Sequence, residues 1–230
     1  MARINSFKIK TNDLLAKYKV ITKIGSGWEG EVFLVKEKNT GIYRGAKLFY
    51  PHRDKKGTTT RFTARKLHKL RNCPVLIQYH HQQDIVYQEQ TIKMLVSEYV
   101  EGVQASKLKK LSAFEALHLL KALAEGMACV HEQKEYHGDI HENNVLVKRK
   151  GASFEVKLLD LYNYGPATAD LIAEDVVGMI QVFRQVLRGP YIKQPLWVKN
   201  ICCGMKHSLI KKKFKNAQTL LKYINSFAYE

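Results

Sequence analysis

The sequence has no long apolar stretch. Among its 230 residues no run approaches the roughly 18–20 apolar residues that cross a bilayer. Its polar, basic beginning has no apolar core of the kind found in a signal peptide. Glycine (14) and proline (5) are too few for collagen or a low-complexity chain. We therefore expect no transmembrane segment, and a protein that is cytoplasmic or delivered to another cell without a cleaved signal peptide.

Cysteine is scarce and irregularly placed. The four cysteines, at positions 73, 129, 202 and 203, form no C-x-x-C pair, and the last two are adjacent. Disulfide frameworks and zinc sites usually show a more regular spacing. The sequence therefore predicts four reduced thiols and a cytosolic folding environment.

Acidic residues are few relative to basic ones. Lys and Arg number 38 against 21 Asp and Glu, which gives a formal net charge of +17. Such a surface attracts the phosphates of nucleic acids, nucleotides or acidic membranes. Contact with a polyanion through this basic surface, or a basic surface with no specific partner, are both compatible with the composition. The 12 Tyr and 9 Phe argue against a disordered chain.

Short β-branched and aromatic runs dominate the first hundred residues and predict strands at 19–24, 31–38, 43–50, 75–80 and 93–99. One helix is predicted among them, at 59–71. After Gly102 a helical period takes over, most clearly at 113–133, where Ser112 and Glu115 form a capping-box pattern. The further predicted elements are strands at 145–148 and 154–159 and helices at 172–187, 195–205 and 217–227.

This change of pattern predicts an α+β protein with two lobes. We expect a single domain over residues 1–230, with a β-rich lobe at about 18–100, a hinge at about 98–103 and a helical lobe at about 104–227. A cleft between two such lobes is a natural place for a ligand.

Two motifs lie in the predicted β-rich lobe. Gly25, Gly27 and Gly30 form G-x-G-x-x-G, which is weak evidence alone. A strand precedes it and another follows it, whereas a dinucleotide-binding unit would continue into a helix. Glycine at these positions allows backbone amides to approach a phosphate closely. On the next predicted strand, Lys47 in Ala46-Lys47-Leu48 adds a cation.

A stronger pattern follows the long predicted helix. Asp139 and Asn144 stand in His137-Gly138-Asp139-Ile140-His141-Glu142-Asn143-Asn144, which matches H-x-D-x-x-x-x-N. Asp160 ends the next apolar strand. A polar turn after a helix would not by itself place these residue types at this spacing.

With these four motifs the chain resembles the protein kinase-like superfamily, over about residues 20–227. The resemblance implies ATP and Mg²⁺ as cofactors, with Mn²⁺ as a possible substitute. It implies that Lys47 holds the α- and β-phosphates, that Asp139 orients the acceptor hydroxyl, and that Asn144 and Asp160 bind metal. The other implied nucleotide-binding residues are Gly25, Gly27 and Gly30 at the phosphates and Val32, Ala46, Glu98, Val100 and Leu146 at the adenine.

The chain also departs from that family. No acid occurs from Lys55 to Asn72, so Lys47 must find a partner other than a glutamate of the predicted helix or rely on the nucleotide. That helix instead carries a basic stripe of Arg61, Arg65 and Lys69. Gly138 replaces the arginine that receives an activation-loop phosphate, which suggests activity without such phosphorylation.

The segment that would dock a peptide substrate is nearly missing. Asp160 and Asp175 are 15 positions apart with no A-P-E motif between them, as in atypical kinases such as the RIO and lipopolysaccharide-core kinases. The leading interpretation is a minimal Ser/Thr-type protein kinase with a protein substrate. A kinase of a small molecule or sugar headgroup, and a nucleotide-binding pseudokinase, are the alternatives.

Overall fold

A computed structural model describes residues 3–151 and 153–226 of the chain. The architecture is α+β, as predicted, and divides into two compact units. The first unit comprises the described residues up to Arg71 together with Ile77–Val100, and the second comprises Asn72–Leu76 and the described residues from Glu101 onward. The prediction of a single domain with lobe limits at 18–100 and 104–227 stays a prediction, and Phe227 lies outside the described residues.

The first unit is built on a six-stranded antiparallel sheet in the order β1-β2-β3-β4-β6-β5. Helix α1 lies on β5 and β6. Alternate side chains of β2, β3 and β4 are buried on one face, as the period of two along a strand requires. The strands and helix are β1 (Leu14–Leu15), β2 (Tyr18–Ser26), β3 (Gly30–Glu37), β4 (Tyr43–Phe49), α1 (Thr58–Lys69), β5 (Tyr79–Tyr87) and β6 (Gln90–Glu98).

The second unit is mainly helical. Helix α2 contacts α3, α6 and a three-stranded sheet in the order β7-β8-β9. The predicted capping box of α2 is confirmed, since Ser112 and Glu115 exchange both hydrogen bonds. The elements are β7 (Val103–Gln104), α2 (Ala113–Glu132), β8 (Val145–Lys150), β9 (Ser153–Leu158), α3 (Ala169–Val186), α4 (Leu196–Cys202), α5 (His207–Lys213) and α6 (Ala217–Ser226).

The prediction of a strand at 75–80 is wrong. The strand begins at Tyr79, and Val75 and Leu76 belong to the second unit. The carbonyl of Val75 accepts a 2.7 Å hydrogen bond from the amide of Leu158 at the end of β9. Gly126 of α2 admits this segment, because a Cβ there would lie 2.4 Å from the Cβ of Val75. The apolar run therefore serves long-range packing rather than a sheet of its own.

The prediction of four reduced thiols is also wrong. Cys73 and Cys129 form a disulfide with a Cα–Cα distance of 5.6 Å, and it joins residues 72–76 to α2. The two cysteines are 56 positions apart, so only the packing of the segment against α2 brings them together. The inference of a cytosolic folding environment, which rested on unpaired thiols, loses that support.

The two remaining cysteines are free. Burial raises the pKa of the Cys202 thiol to about 12, and burial also raises the pKa of Cys203. Since the thiolate is the reactive form, both thiols are expected to be poor nucleophiles at neutral pH in the folded protein.

We expect iodoacetamide to modify two cysteines in the protein denatured without reductant, and four after reduction. Peptide mapping by mass spectrometry should assign the first two to Cys202 and Cys203. Modification of all four without reductant would contradict the disulfide.

Candidate active site

The Gly-rich motif forms a hairpin turn between β2 and β3, as predicted. The amide of Gly27 donates to the carbonyl of Gly30 at 2.9 Å, which closes the turn. A Cβ on Gly30 would lie 1.9 Å from the carbonyl oxygen of Leu48, whereas one on Gly27 would meet nothing within 4 Å. Gly30 is therefore required for packing against β4, while Gly27 leaves space beside the backbone for a ligand.

Lys47 lies in the middle of β4, opposite Val32 of β3 and Leu95 of β6. Its Nζ is 2.8 Å from Oε2 of Glu29, and the two side chains are only 16% and 22% exposed. The missing helix glutamate thus has a counterpart in the turn between Gly27 and Gly30. The sequence did not predict this role for Glu29, although the residue lies inside the G-x-G-x-x-G motif.

The residues implied to meet adenine are distributed over both units. Ala46 is fully buried in β4 beside Val96. Glu98 ends β6, where its amide donates to the carbonyl of Gln78 at 2.9 Å. The others are Val32 on β3 and Val100 at the end of the first unit, and Leu146 on β8 of the second.

The loop from His137 to Asn144, here called the catalytic loop, holds its two predicted functional residues in contact. The amide nitrogen Nδ2 of Asn144 donates to Oδ2 of Asp139 at 2.9 Å and to its carbonyl at 3.0 Å. Asn144 is buried, whereas the Asp139 side chain is 46% exposed. The loop thus exposes the Asp139 carboxylate to solvent, and the amide of buried Asn144 holds that carboxylate by a hydrogen bond.

A buried carboxylate organises the start of this loop. Asp175 of α3 accepts hydrogen bonds from the amides of His137 (2.7 Å) and Gly138 (2.9 Å) and contacts Nε2 of His131 at 3.2 Å. Nδ1 of His131 accepts from the amide of Ala217, so the ring proton is on Nε2 and is donated to Asp175. Three helices, α2, α3 and α6, therefore fix the backbone that carries Asp139.

The structure explains why position 138 holds a glycine rather than the expected arginine. Gly138 has a φ of +88°, and a Cβ there would lie 2.9 Å from the ring of Tyr136 and 3.0 Å from the carbonyl oxygen of Tyr162. Such a conformation is open to glycine and strained for arginine. The loop backbone therefore excludes the missing side chain.

Asp160 directly follows β9 and Leu159. The amide of Leu159 donates to the carbonyl of Asn144 at 2.9 Å, so the segment that carries Asp160 is tied to the catalytic loop. Asp160 itself is exposed and has a left-handed φ of +54°. Such a backbone is unfavourable for most residues other than glycine, although Asp and Asn adopt it more readily than the rest, and it tends to occur at functional sites.

These residues fit a Mg²⁺ ion by their donor chemistry. Mg²⁺ prefers oxygen ligands such as carboxylates, with phosphate oxygens and water completing the shell. Asp160 supplies a carboxylate. Because the amide nitrogen of Asn144 is bonded to Asp139, its Oδ1 is the atom that can ligate a cation.

Two further properties of the described part of the chain bear on the predictions. Among residues 3–151 and 153–226, no cluster of three or more His, Cys, Asp or Glu could hold a metal ion. Within the same ranges no helix has the length and apolar character needed to cross a membrane.

Comparison with known proteins agrees with the fold and the motifs. A Ser/Thr kinase from Myxococcus xanthus, pkn2, is 26% identical over 78% of this chain, which covers 21% of that protein. Cyclin-dependent kinase 9 from Bos taurus is 28% identical over 71% of this chain, which covers 45% of that protein. The chain thus spans about a fifth of the first relative and less than half of the second.

Solved structures of kinase domains have a similar fold. The PknI kinase domain of Mycobacterium tuberculosis has a TM-score of 0.65 at 17% identity, and the match covers 95% of this chain and 99% of that domain. A family model described as the protein kinase domain matches residues 18–169, a range that includes the Gly-rich hairpin, Lys47, the catalytic loop and Asp160. Since that range is more than half of the sequence, the chain belongs to the protein kinase domain family.

Proposed function

We propose that the chain is an active Ser/Thr-type protein kinase that uses ATP with Mg²⁺. The observation that carries this proposal is the bonded pair of Asp139 and Asn144, tied through Leu159 to the segment of Asp160. A scaffold that only bound nucleotide would not need a hydroxyl-orienting carboxylate and two candidate metal ligands in one connected arrangement. Their retention therefore supports catalysis over a pseudokinase.

The roles follow from the chemistry of each group. Lys47 would hold the α- and β-phosphates, and the backbone of Gly25, Gly27 and Gly30 would cover them. Asp139 would orient the acceptor hydroxyl and accept its proton as the oxygen attacks the γ-phosphorus. Asn144 and Asp160 would bind Mg²⁺ or Mn²⁺, which neutralises negative charge on the transferred group.

Both side chains and backbone groups would recognise the adenine. Val32, Ala46 and Leu146 would supply the apolar surface. The backbone groups of Glu98 and Val100 would supply hydrogen bonds. An apolar pocket with a few placed polar groups is the usual form of a small-molecule site.

Activity without phosphorylation of the chain is part of the proposal. Only residues 161–168 separate Asp160 from α3. The hydroxyl of Tyr136 accepts from the amide of Tyr164 at 2.7 Å and donates to the carbonyl of Gly165 at 2.9 Å. The amide of Tyr162 donates to the carbonyl of His137. These contacts order the segment without a phosphate, and Gly138 offers no arginine to receive one.

The same short segment favours a second candidate, a kinase of a small molecule or sugar headgroup. Eight residues form little surface on which to dock an extended peptide. The kinase relatives, one of which is named a serine/threonine-protein kinase, favour a protein acceptor instead. Contact with a polyanion stays a further prediction, and the basic stripe of Arg61, Arg65 and Lys69 is solvent-exposed on α1.

The acceptor class is tested by offering the protein a cell lysate with Mg²⁺ and ATP labelled at the γ-phosphate. Protein and small-molecule fractions are counted separately. We expect label on Ser or Thr of lysate proteins. Label confined to the small-molecule fraction would favour the second candidate.

A further inference from the structure

Lys47 has a carboxylate partner in an unusual place. The helix that would offer a glutamate, α1, has none from Thr58 to Lys69. Its Ala64 instead packs with Phe49 and Leu95 in a small apolar cluster. Lys47 and Phe49 project from the same face of β4, and the Lys47 Nζ lies 5.1 Å from the Phe49 ring centroid. On this side of the sheet the helix thus contributes the methyl group of Ala64 and no carboxylate.

The ammonium of Lys47 requires compensation at this depth. A lysine that is 16% exposed has lost most of its hydration and is stabilised by an anion in direct contact. Glu29 provides one at 2.8 Å, which is the length of a charge-assisted hydrogen bond. An ammonium has three N–H donors, so contact with Glu29 is compatible with contact to a phosphate.

Glu29 is itself held in position by its surroundings. Its carbonyl accepts a 2.8 Å hydrogen bond from the amide of Tyr50, just beyond β4. The next residue, Gly30, packs against Leu48 without room for a side chain. On the other side, the ring of Trp28 lies 3.7 Å from the guanidinium carbon of Arg53. The backbone that carries the Glu29 carboxylate is therefore held in place, which allows the carboxylate to orient Lys47.

We propose that Glu29 is the positioning residue for Lys47, replacing a helix glutamate by a carboxylate within the Gly-rich hairpin. This inference rests on the proposed function. It places a carboxylate partner of Lys47 on the same turn that would cover the phosphates, so this ion pair moves with the hairpin rather than with α1.

The test is a double-mutant cycle of Glu29→Gln, Lys47→Ala and the combined variant. The measured quantities are the dissociation constant of Mg-ATP and the initial rate of γ-phosphate transfer to lysate protein. We expect Glu29→Gln to reduce the ratio of the transfer rate to the Mg-ATP dissociation constant by about tenfold, which is a typical coupling for a close charged pair. In the Lys47→Ala background the same change should alter it by less than about twofold, because the partner is gone.

Two further variants separate positioning from a merely structural role. Glu29→Asp keeps the carboxylate and should retain more transfer than Glu29→Gln. The matched control is Glu37→Gln, which removes the same charge at the far end of the adjoining strand β3, where Glu37 pairs with Lys17 instead of Lys47. It should behave as the wild type.

The outcomes distinguish this inference from the proposed function. Independent, multiplying effects of Glu29→Gln and Lys47→Ala in an active protein would overturn the inference alone. So would tighter Mg-ATP binding by Glu29→Gln, since the carboxylate would then compete with phosphate for Lys47. A wild type that neither binds Mg-ATP nor transfers phosphate would overturn the proposed function and, with it, the inference.

Discussion

Replacing Asp139 with asparagine is expected to reduce the rate of phosphoryl transfer by about three orders of magnitude, within the 10²–10⁴-fold range of general acid–base catalysis. Asparagine keeps the size of the side chain but cannot accept the proton of the attacking hydroxyl. The Asp139 carboxylate is half-exposed, so the fold should tolerate the change. Affinity for Mg-ATP should stay within a few-fold of the wild type, because Asp139 acts on the acceptor.

The measurement combines the initial transfer rate with calorimetric titration of Mg-ATP. Asp170→Asn is the matched control, because Asp170 is an exposed aspartate of the same unit that pairs with Lys211 on the surface. Undiminished transfer by Asp139→Asn would remove Asp139 from the mechanism. A parallel loss of affinity would instead give it a binding role.

Replacing Asp160 with asparagine is expected to weaken Mg-ATP binding, which Asp139→Asn should leave nearly unchanged. Loss of the only carboxylate among the proposed metal ligands should weaken Mg-ATP binding by at least about 10- to 100-fold, the cost seen when even outer-shell support of a metal is removed. Binding of ATP in the presence of EDTA should change much less. The transfer rate should fall with the affinity.

The two variants therefore control for each other. Asp139→Asn should bind Mg-ATP and fail to transfer, whereas Asp160→Asn should fail already at binding. Since Asp160 has a left-handed backbone that asparagine tolerates well, the substitution should not unfold the protein, and circular dichroism should verify this. Normal Mg-ATP affinity in Asp160→Asn would show that the metal is held elsewhere.

Features that are local in the chain were predictable from the sequence. Asp139 and Asn144 are five positions apart in one loop, so their spacing in the sequence indicates that they lie close together. The Gly-rich hairpin follows from two adjacent strands and a turn between them. Helix α2 was predicted nearly to its limits because its apolar period and capping box are both local signals.

Features that depend on distant parts of the chain were missed. The disulfide of Cys73 and Cys129 needs the packing of residues 72–76 on α2, and no spacing rule reports it. The sequence interpretation began the first lobe at residue 18, yet Ile4 and Phe7 are buried in the core of the first unit. The sequence showed that the predicted helix has no acid for Lys47 but did not identify another partner, and the register of β3 and β4 brings Glu29 of the hairpin to it.

The proposed function requires that this chain transfers phosphate rather than only binding nucleotide. The most direct measurement is the time course of label transferred from γ-labelled ATP to lysate protein by the purified chain, with Mg²⁺ and with EDTA, beside Asp139→Asn. We expect linear, Mg²⁺-dependent incorporation that is nearly abolished in the variant, with no prior phosphorylation of the chain. Binding of Mg-ATP without incorporation above the variant's background in any fraction would contradict it.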